Sequence, residues 1–256
     1  MVAPVRRARV LGVPVDVLTV AQAAEWIVAQ VTAHHAGQRA AGPGVVITLN
    51  PEMVMLARRD PVFAQIVEEA ALRVPDGIGV VRAIRRRGFA GAERVGGVDL
   101  LEEYLPEAAR RGHRIALAGS APGIADEAAQ RLRARWADLR IVAADGGDPD
   151  AALADRLRSA SPDVVCAAFG QGRQEMFLRT HLADIGAPVG IGVGGWLDYM
   201  AGTVRRAPRP MRDAGLEWAW RLALQPRRLR RQLYLPLFWV AEHREAARFA
   251  RRDRVG

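Results

Sequence analysis

Residues 114–145 read RIALAGSAPGIADEAAQRLRARWADLRIVAAD, and this stretch decides the fold. RIALAG (114–119) is a short apolar run closed by glycine, as a strand is. Gly123–Trp136 then has the length and mixed polarity of a helix, and RIVAAD (140–145) returns to a strand. The same alternation continues outward. Pro149–Ser159 reads as a helix, DVVCAAFG (163–170) as a strand, Arg173–Leu182 as a helix and PVGIGVGG (188–195) as the last strand. Strands alternating with helices of about 10–15 residues predict an α/β fold, a parallel sheet covered on both faces. In such sheets ligands bind at the carboxyl ends of the strands.

Toward the N-terminus the pattern is less regular. Val10–Val17 is a short strand or hairpin punctuated by Gly12 and Pro14. Thr19 and Gln22 have capping-box spacing, and AQAAEWIVAQVTAHH follows as a helix. VVITL is a buried parallel strand that ends in Thr48-Leu49-Asn50-Pro51. Short helices are expected around Met53–Arg58 and Pro61–Glu69. Leu72–Val74 is a second short strand opening into Pro75-Asp76-Gly77, and GVVRAIRRR resumes a helix. Residues 94–99 read as a loop, with Asp99 capping the helix LLEEYLPEAARR.

The charge is distributed unevenly. The 256 residues carry a net charge of +9, and lysine is absent, so all 37 basic residues are arginine. Residues 205–256 hold 14 Arg against five acids, whereas residues 1–204 are balanced at 23 of each. The division expected is therefore an α/β core over 1–204 and a basic helical appendage over 205–256. An anionic partner is expected at the basic end: nucleic acid, a phosphorylated ligand or an anionic membrane surface. The lone Cys166 excludes an internal disulfide and fits a reducing compartment. No signal-peptide core follows the basic N-terminus. The longest apolar run, Leu233–Ala241, is far short of the roughly 20 residues of a membrane span. A chain in the cytosol, or lying on a membrane without crossing it, is expected.

Few polar groups fall at the predicted strand ends: Thr48, Asn50, Asp76, Arg94, Gln174, Glu175 and Asp198. Asp76 lies in a Pro-Asp-Gly turn, where a carboxylate can point into a cleft as a general base. The same Asp-Gly also suits a plain turn or a helix cap. Thr48 and Asn50 share one side of an extended strand end and suit a sugar or a base, although Asn before Pro is also turn chemistry. The Gly119–Gly123 and Gly170–Gly172 turns can bring backbone N–H groups to a phosphate at a helix N-terminus, or simply reverse the chain. The five histidines have no ligand spacing, so no metal site is expected.

Residues 192–231 run from the last strand into a predicted arginine-faced helix. Arg221, Arg228 and Arg231 would lie within roughly 80° of one another on it. Such a face can hold a diphosphate, or it can be merely solvated. Beyond it, Tyr234, Phe238 and Trp239 alternate with leucines and are flanked by arginines. That pattern suits a lipid–water boundary, and peripheral binding that weakens with salt is expected; packing onto the core or onto a partner subunit of a homo-oligomer is the alternative.

Several motifs in order make the chain resemble the WecG/TagA/CpsF bacterial glycosyltransferases. They are T-L-N (48–50), V-P-D-G-I-G-V (74–80), E-R-V-G-G-V-D-L (93–100), G-x-x-x-G (119–123), R-Q-E (173–175), G-V-G-G-W-L-D (192–198), R-A-P (206–208) and L-E-W-A-W-R-L (216–222). The resemblance implies a Rossmann-like core that moves a sugar, with inversion, from a UDP-sugar, typically N-acetylmannosamine or its uronate. The implied acceptor is a sugar on undecaprenyl diphosphate at the inner face of the plasma membrane, in cell-envelope polysaccharide or teichoic acid synthesis. It implies Asp76 as catalytic base. Thr48, Asn50, Arg94, Gly119, Gln174, Glu175 and Gly194 are implied as substrate-binding. Arg206, Arg221, Arg228 and Arg231 are implied as diphosphate-binding. No metal, cofactor or nucleic acid is implied. Where the family usually has G-x-P-K-Q-E, this chain has Gly170-Gln-Gly-Arg-Gln-Glu175.

Rival readings are a nucleotide-dependent oxidoreductase, a nucleic-acid-binding protein and an inactive scaffold of a polysaccharide assembly. The first would need a glycine fingerprint with an acid about 20 residues on, which the stretch after Gly119–Gly123 fits poorly. The second would bind arbitrary duplex DNA in a salt-dependent way. The altered Gly172-Arg173 loop keeps the third open.

Overall fold

A computed structural model of the chain describes residues 5–38, 44–225, 229 and 233–252. Six parallel strands form one sheet: β3 (Gly44–Leu49), β4 (Leu72–Pro75), β5 (Arg114–Gly119), β6 (Arg140–Asp145), β7 (Val164–Ala168) and β8 (Val189–Gly192). Their order is β4-β3-β8-β7-β5-β6. Every residue of β3 is buried, which is why VVITL shows no polar alternation. Alternate residues serve opposite faces: Val45, Ile47 and Leu49 enter one core, and Val46 enters the other.

The first core lies under α2 (Pro51–Ala57), α3 (Pro61–Glu69), α4 (Ile78–Arg86), α7 (Ala151–Ala160) and α8 (Arg173–Ile185). The antiparallel hairpin of β1 (Arg6–Val10) and β2 (Val13–Val17) also packs there, turning at Leu11-Gly12 with both residues at positive φ. The second core lies under α1 (Val20–His35), α5 (Gly97–Arg111), α6 (Ile124–Arg135) and α9 (Trp196–Met200). Thr19 and Gln22 make the expected capping box of α1. Three further helices complete the described chain: α10 (Arg209–Asp213), α11 (Glu217–Leu224) and α12 (Tyr234–Arg252).

The strand order places the site. β3 leads into α2 on one face of the sheet, while its neighbour β8 leads into α9 on the other. The chain parts above these two strands, leaving a crevice at their carboxyl ends.

Three sequence expectations change. Asp99 does not cap α5, because the helix starts three residues earlier than expected, at Gly97, with Gly96 as N-cap. No single helix carries the arginines from 221 onward, because α11 ends at Leu224. Gln225, at φ −134° and ψ 75°, has left the helical conformation, as a residue before proline is pushed to do. Arg228 and Arg231 lie outside the described residues. The aromatic tail, finally, turns its rings inward. Phe238 is fully buried against Gly79 in the first core, and Tyr234 lies 4.1 Å from the Arg59 guanidinium. Leu233, Leu237 and Val240 are what faces outward.

Candidate active site

The crevice opens into a cleft of about 780 Å³. Its floor is made by strand ends. Thr48, near the end of β3, donates its hydroxyl to the Gly192 carbonyl at 3.1 Å, tying β3 to β8. Asn50 lines the cleft, but its Oδ1 accepts the Met53 N–H at 2.9 Å and caps α2. Gln174 bridges from α8. Its amide oxygen accepts the Gly194 N–H at 3.2 Å, and its nitrogen donates to Glu175 at 2.7 Å.

Two of the predicted residues stand behind the cleft rather than in it. Glu175 is fully buried and caps α8 by accepting the Gly172 N–H at 2.7 Å. Gly119, at φ +98°, is where β5 and β7 close up, since a Cβ there would stand 2.8 Å from the Ala168 carbonyl carbon. The following Ser120, also at positive φ, donates to Asp198 at 2.9 Å, and Asp198 does reach the cleft.

Charge gathers around Asp76, which follows β4 directly. Its backbone N–H donates to the Leu49 carbonyl at 2.9 Å, and it does not cap α4, whose N-cap is Gly77 with no side-chain bond. Arg94 lies above it. One terminal nitrogen of Arg94 (Nη1) is 2.8 Å from Glu217 and 3.9 Å from Asp76; the other (Nη2) donates to Asp99 at 2.6 Å. Arg206 donates to the second oxygen of Asp99 at 2.5 Å and stands 3.7 Å from Glu217.

Two guanidinium groups and three carboxylates thus share one small space. Burial pushes the Asp76 carboxyl up to about 6; Arg94 and Arg221 pull it back, and Glu217 and Asp99 push it further. Burial also works against the charge of Arg94, but the carboxylates of Asp76, Asp99 and Glu217 more than offset this and hold it protonated. Asp99, despite its own burial, is held low by hydrogen bonds from Arg206 and Arg94 and by their charges.

The roof comes from the C-terminal segment. Arg221 of α11 lies 5.3 Å from the Tyr199 ring, and its Nε, buried, makes no hydrogen bond among the described residues. Beside it Leu222, Leu229, Leu233, Leu235, Pro236 and Trp239 form an apolar wall. Helix α12 is pinned to the core. Buried Glu242 accepts from Arg86 Nε at 3.1 Å and Arg87 at 3.3 Å, and Glu245 pairs with Arg87 and the Leu11 N–H.

The structure therefore brings together Thr48, Asn50, Asp76, Arg94, Gln174, Gly194, Arg206 and Arg221, and leaves Glu175 and Gly119 outside the lining. Sequence reasoning overlooked Asp99 as a bridging acid, and it overlooked Glu217. The available signal for Glu217 was an acid isolated among arginines, with none other between Asp213 and Glu242. Among the described residues no group of three or more His, Cys, Asp or Glu is arranged to hold a metal ion.

With a polar floor, a basic flank and an apolar roof, the cleft suits a ligand with a polar head, a phosphate charge and an apolar part. The sequence profile of the glycosyl transferase WecG/TagA/CpsF family matches residues 8–252.

Proposed function

The chain belongs to the WecG/TagA/CpsF family of glycosyltransferases, and from that premise we propose that it moves a hexose from a UDP-sugar onto a polyprenyl-diphosphate-linked sugar. The donor is N-acetylmannosamine, its uronate or a related sugar, and the product feeds cell-envelope polysaccharide or teichoic acid synthesis. The observation that carries this reading is Asp76: a carboxylate at a strand end, in a cleft, whose pKa is pushed up to about 6 while arginines stand beside it. Such a group is a stronger base than an ordinary aspartate and is still mostly ionised near neutral pH.

The chemistry is a single displacement. Asp76 takes the proton of the acceptor hydroxyl as its oxygen attacks the anomeric carbon. The bond from that carbon to the UDP oxygen breaks on the opposite side, which inverts the centre. The departing diphosphate carries the electron pair away, and Arg221, with Arg228 and Arg231, neutralises it. Arg94 and Arg206 are already committed to carboxylates, so they organise the base and the wall of the cleft. Thr48, Asn50, Gln174 and Gly194 contact the sugar or the base. A fixed guanidinium aimed at developing charge contributes roughly 2–4 kcal/mol to the transition state, as an oxyanion donor does.

In this reading residues 205–256 act as an appendage that covers the cleft and meets the inner face of the plasma membrane. Leu233, Leu237, Val240 and Arg244 are exposed at helical spacing, opposite buried Phe238 and Glu242. No helix among the described residues is long and apolar enough to cross a membrane.

The test is UDP release from a panel of UDP-sugars with a short-chain polyprenyl-diphosphate–N-acetylglucosamine acceptor, in the presence of EDTA. Acceptor-dependent release should survive EDTA and fall about 10²–10⁴-fold in Asp76→Ala. Release that persists in the variant would remove Asp76 from the chemistry. Silence of the wild type across the panel, with no binding of UDP, would overturn the donor class.

A further inference from the structure

Helix α11 does more than cover the cleft, because it inserts a carboxylate beside the base. The Glu217 oxygen stands 2.8 Å from Arg94 Nη1, and Asp76 stands 3.9 Å from that same nitrogen. A carboxylate in a direct charge-assisted hydrogen bond holds its proton weakly; one just out of reach, and poor in water, holds it more strongly. Glu217 and Asp76 therefore compete for one nitrogen, and in this arrangement Glu217 has it. The other terminal nitrogen of Arg94 is committed to Asp99, which is itself held by Arg206. The charged groups facing Asp76 are thus Arg94, Asp99 of α5, and Glu217 and Arg221 of α11, with Arg206 behind them.

The seat of α11 is close. The turn before it passes so near α4 that a Cβ on Gly215 would stand 2.9 Å from the Ile78 side chain. Trp220 fixes the helix from the other side, donating to the Arg205 carbonyl at 2.9 Å.

We propose that Glu217 is a positioning residue: carried on α11, it holds the Arg94 guanidinium off Asp76 and so keeps the base armed. Without the Glu217 carboxylate, that Arg94 nitrogen loses its partner, and a small rotation closes the gap to Asp76 and quenches it. This rests on the reading of Asp76 as the general base.

The experiment is a pH–rate profile of acceptor-dependent UDP release at saturating substrates, for wild type, Glu217→Gln, Glu217→Asp and Asp76→Asn, with UDP affinity measured alongside. The wild-type rate should fall as pH drops through about 6, where Asp76 takes up its proton. In Glu217→Gln the amide competes poorly for Arg94. The acidic limb should move to lower pH by half a unit or more, and kcat at pH 7.5 should fall about three- to tenfold, as a weaker base does. UDP affinity should stay within about threefold, because the diphosphate arginines are untouched. Glu217→Asp, which keeps the charge, should restore the limb toward wild type. A rate loss in Glu217→Gln with the limb unmoved overturns the proposal and leaves Asp76 as the base. Full activity in Asp76→Asn overturns the base assignment itself, and this proposal with it.

Discussion

A Cβ on Gly96 would stand 3.1 Å from an Asp76 oxygen, 3.2 Å from an Asp99 oxygen and 3.4 Å from the Arg94 guanidinium carbon. The glycine leaves room for the charge cluster, and the cluster is where the fold accepts a cost. Asp76 has a native pKa of about 6 against an ordinary 3.8, so the folded state binds its proton more tightly than the unfolded state does. The sign is the reverse of the usual carboxylate case. Stability on this account falls as pH rises from about 4 to about 6, and above that the ionised group destabilises the fold by about 1–3 kcal/mol. Asp76→Asn should therefore raise the melting temperature at pH 8, and the gain should shrink toward zero as pH approaches 4. Thermal unfolding at several pH values checks this without any substrate. A gain independent of pH would mean that the ionised carboxylate is not the source of the strain. Giving up stability for a pre-set functional group is a common trade at active sites.

At the scale of elements, α12 is attached by a short list of contacts. Phe238 enters the first core, Glu242 and Glu245 hold Arg86 and Arg87, and Trp239 lies 5.9 Å from the Arg82 guanidinium. Removing a buried phenylalanine costs about 3–5 kcal/mol, which is comparable with what could hold one helix to a domain. Phe238→Ala should therefore release α12 before it unfolds the sheet. Amide exchange over residues 234–247 should approach that of an unprotected helix, while β3, β5 and β7 keep their protection. Loss of protection across the sheet as well would show that the appendage and the core form one cooperative unit. Because Leu233, Leu235, Pro236 and Trp239 supply part of the roof, the released variant should also bind a lipid-linked acceptor less well than UDP.

Across the whole molecule, charge and exposed apolar surface fall at the same end. The last 52 residues carry the entire net charge of +9, and the outward face of α12 shows Leu233, Leu237 and Val240. Aliphatic side chains entering a bilayer surface, with arginines beside anionic headgroups, contribute roughly 1 kcal/mol per charge and are screened by salt. The protein should sediment with anionic vesicles, less so as salt rises, and poorly with neutral ones. Equal retention on both would sink the membrane assignment. Leu233 of this surface also lines the cleft, so membrane binding and the roof of the site would involve the same segment.

Much of this was legible without coordinates, for physical reasons that differ from place to place. The inner strands were readable because a parallel strand buried on both faces needs an apolar run, and β5 and the half-exposed edge strand β6 have the predicted boundaries. Thr48, Asn50, Asp76, Arg94 and Gln174 were picked out because the carboxyl ends of such strands are where backbone geometry leaves room for a ligand. The local sequence did not carry pairing between distant segments. Nothing near Glu217 says that it meets Arg94, 123 residues earlier, and nothing near Phe238 says that its ring fills a gap over Gly79. Helical periodicity alone extended α11 through the arginines, and only the backbone conformation at Gln225, before Pro226, ends it. The order of apolar and polar residues along the chain determined the architecture, and the count of charges located its basic end. The tertiary structure decided which charges neutralise one another and which remain for a ligand, because that depends on distances of a few ångströms between residues far apart in the chain.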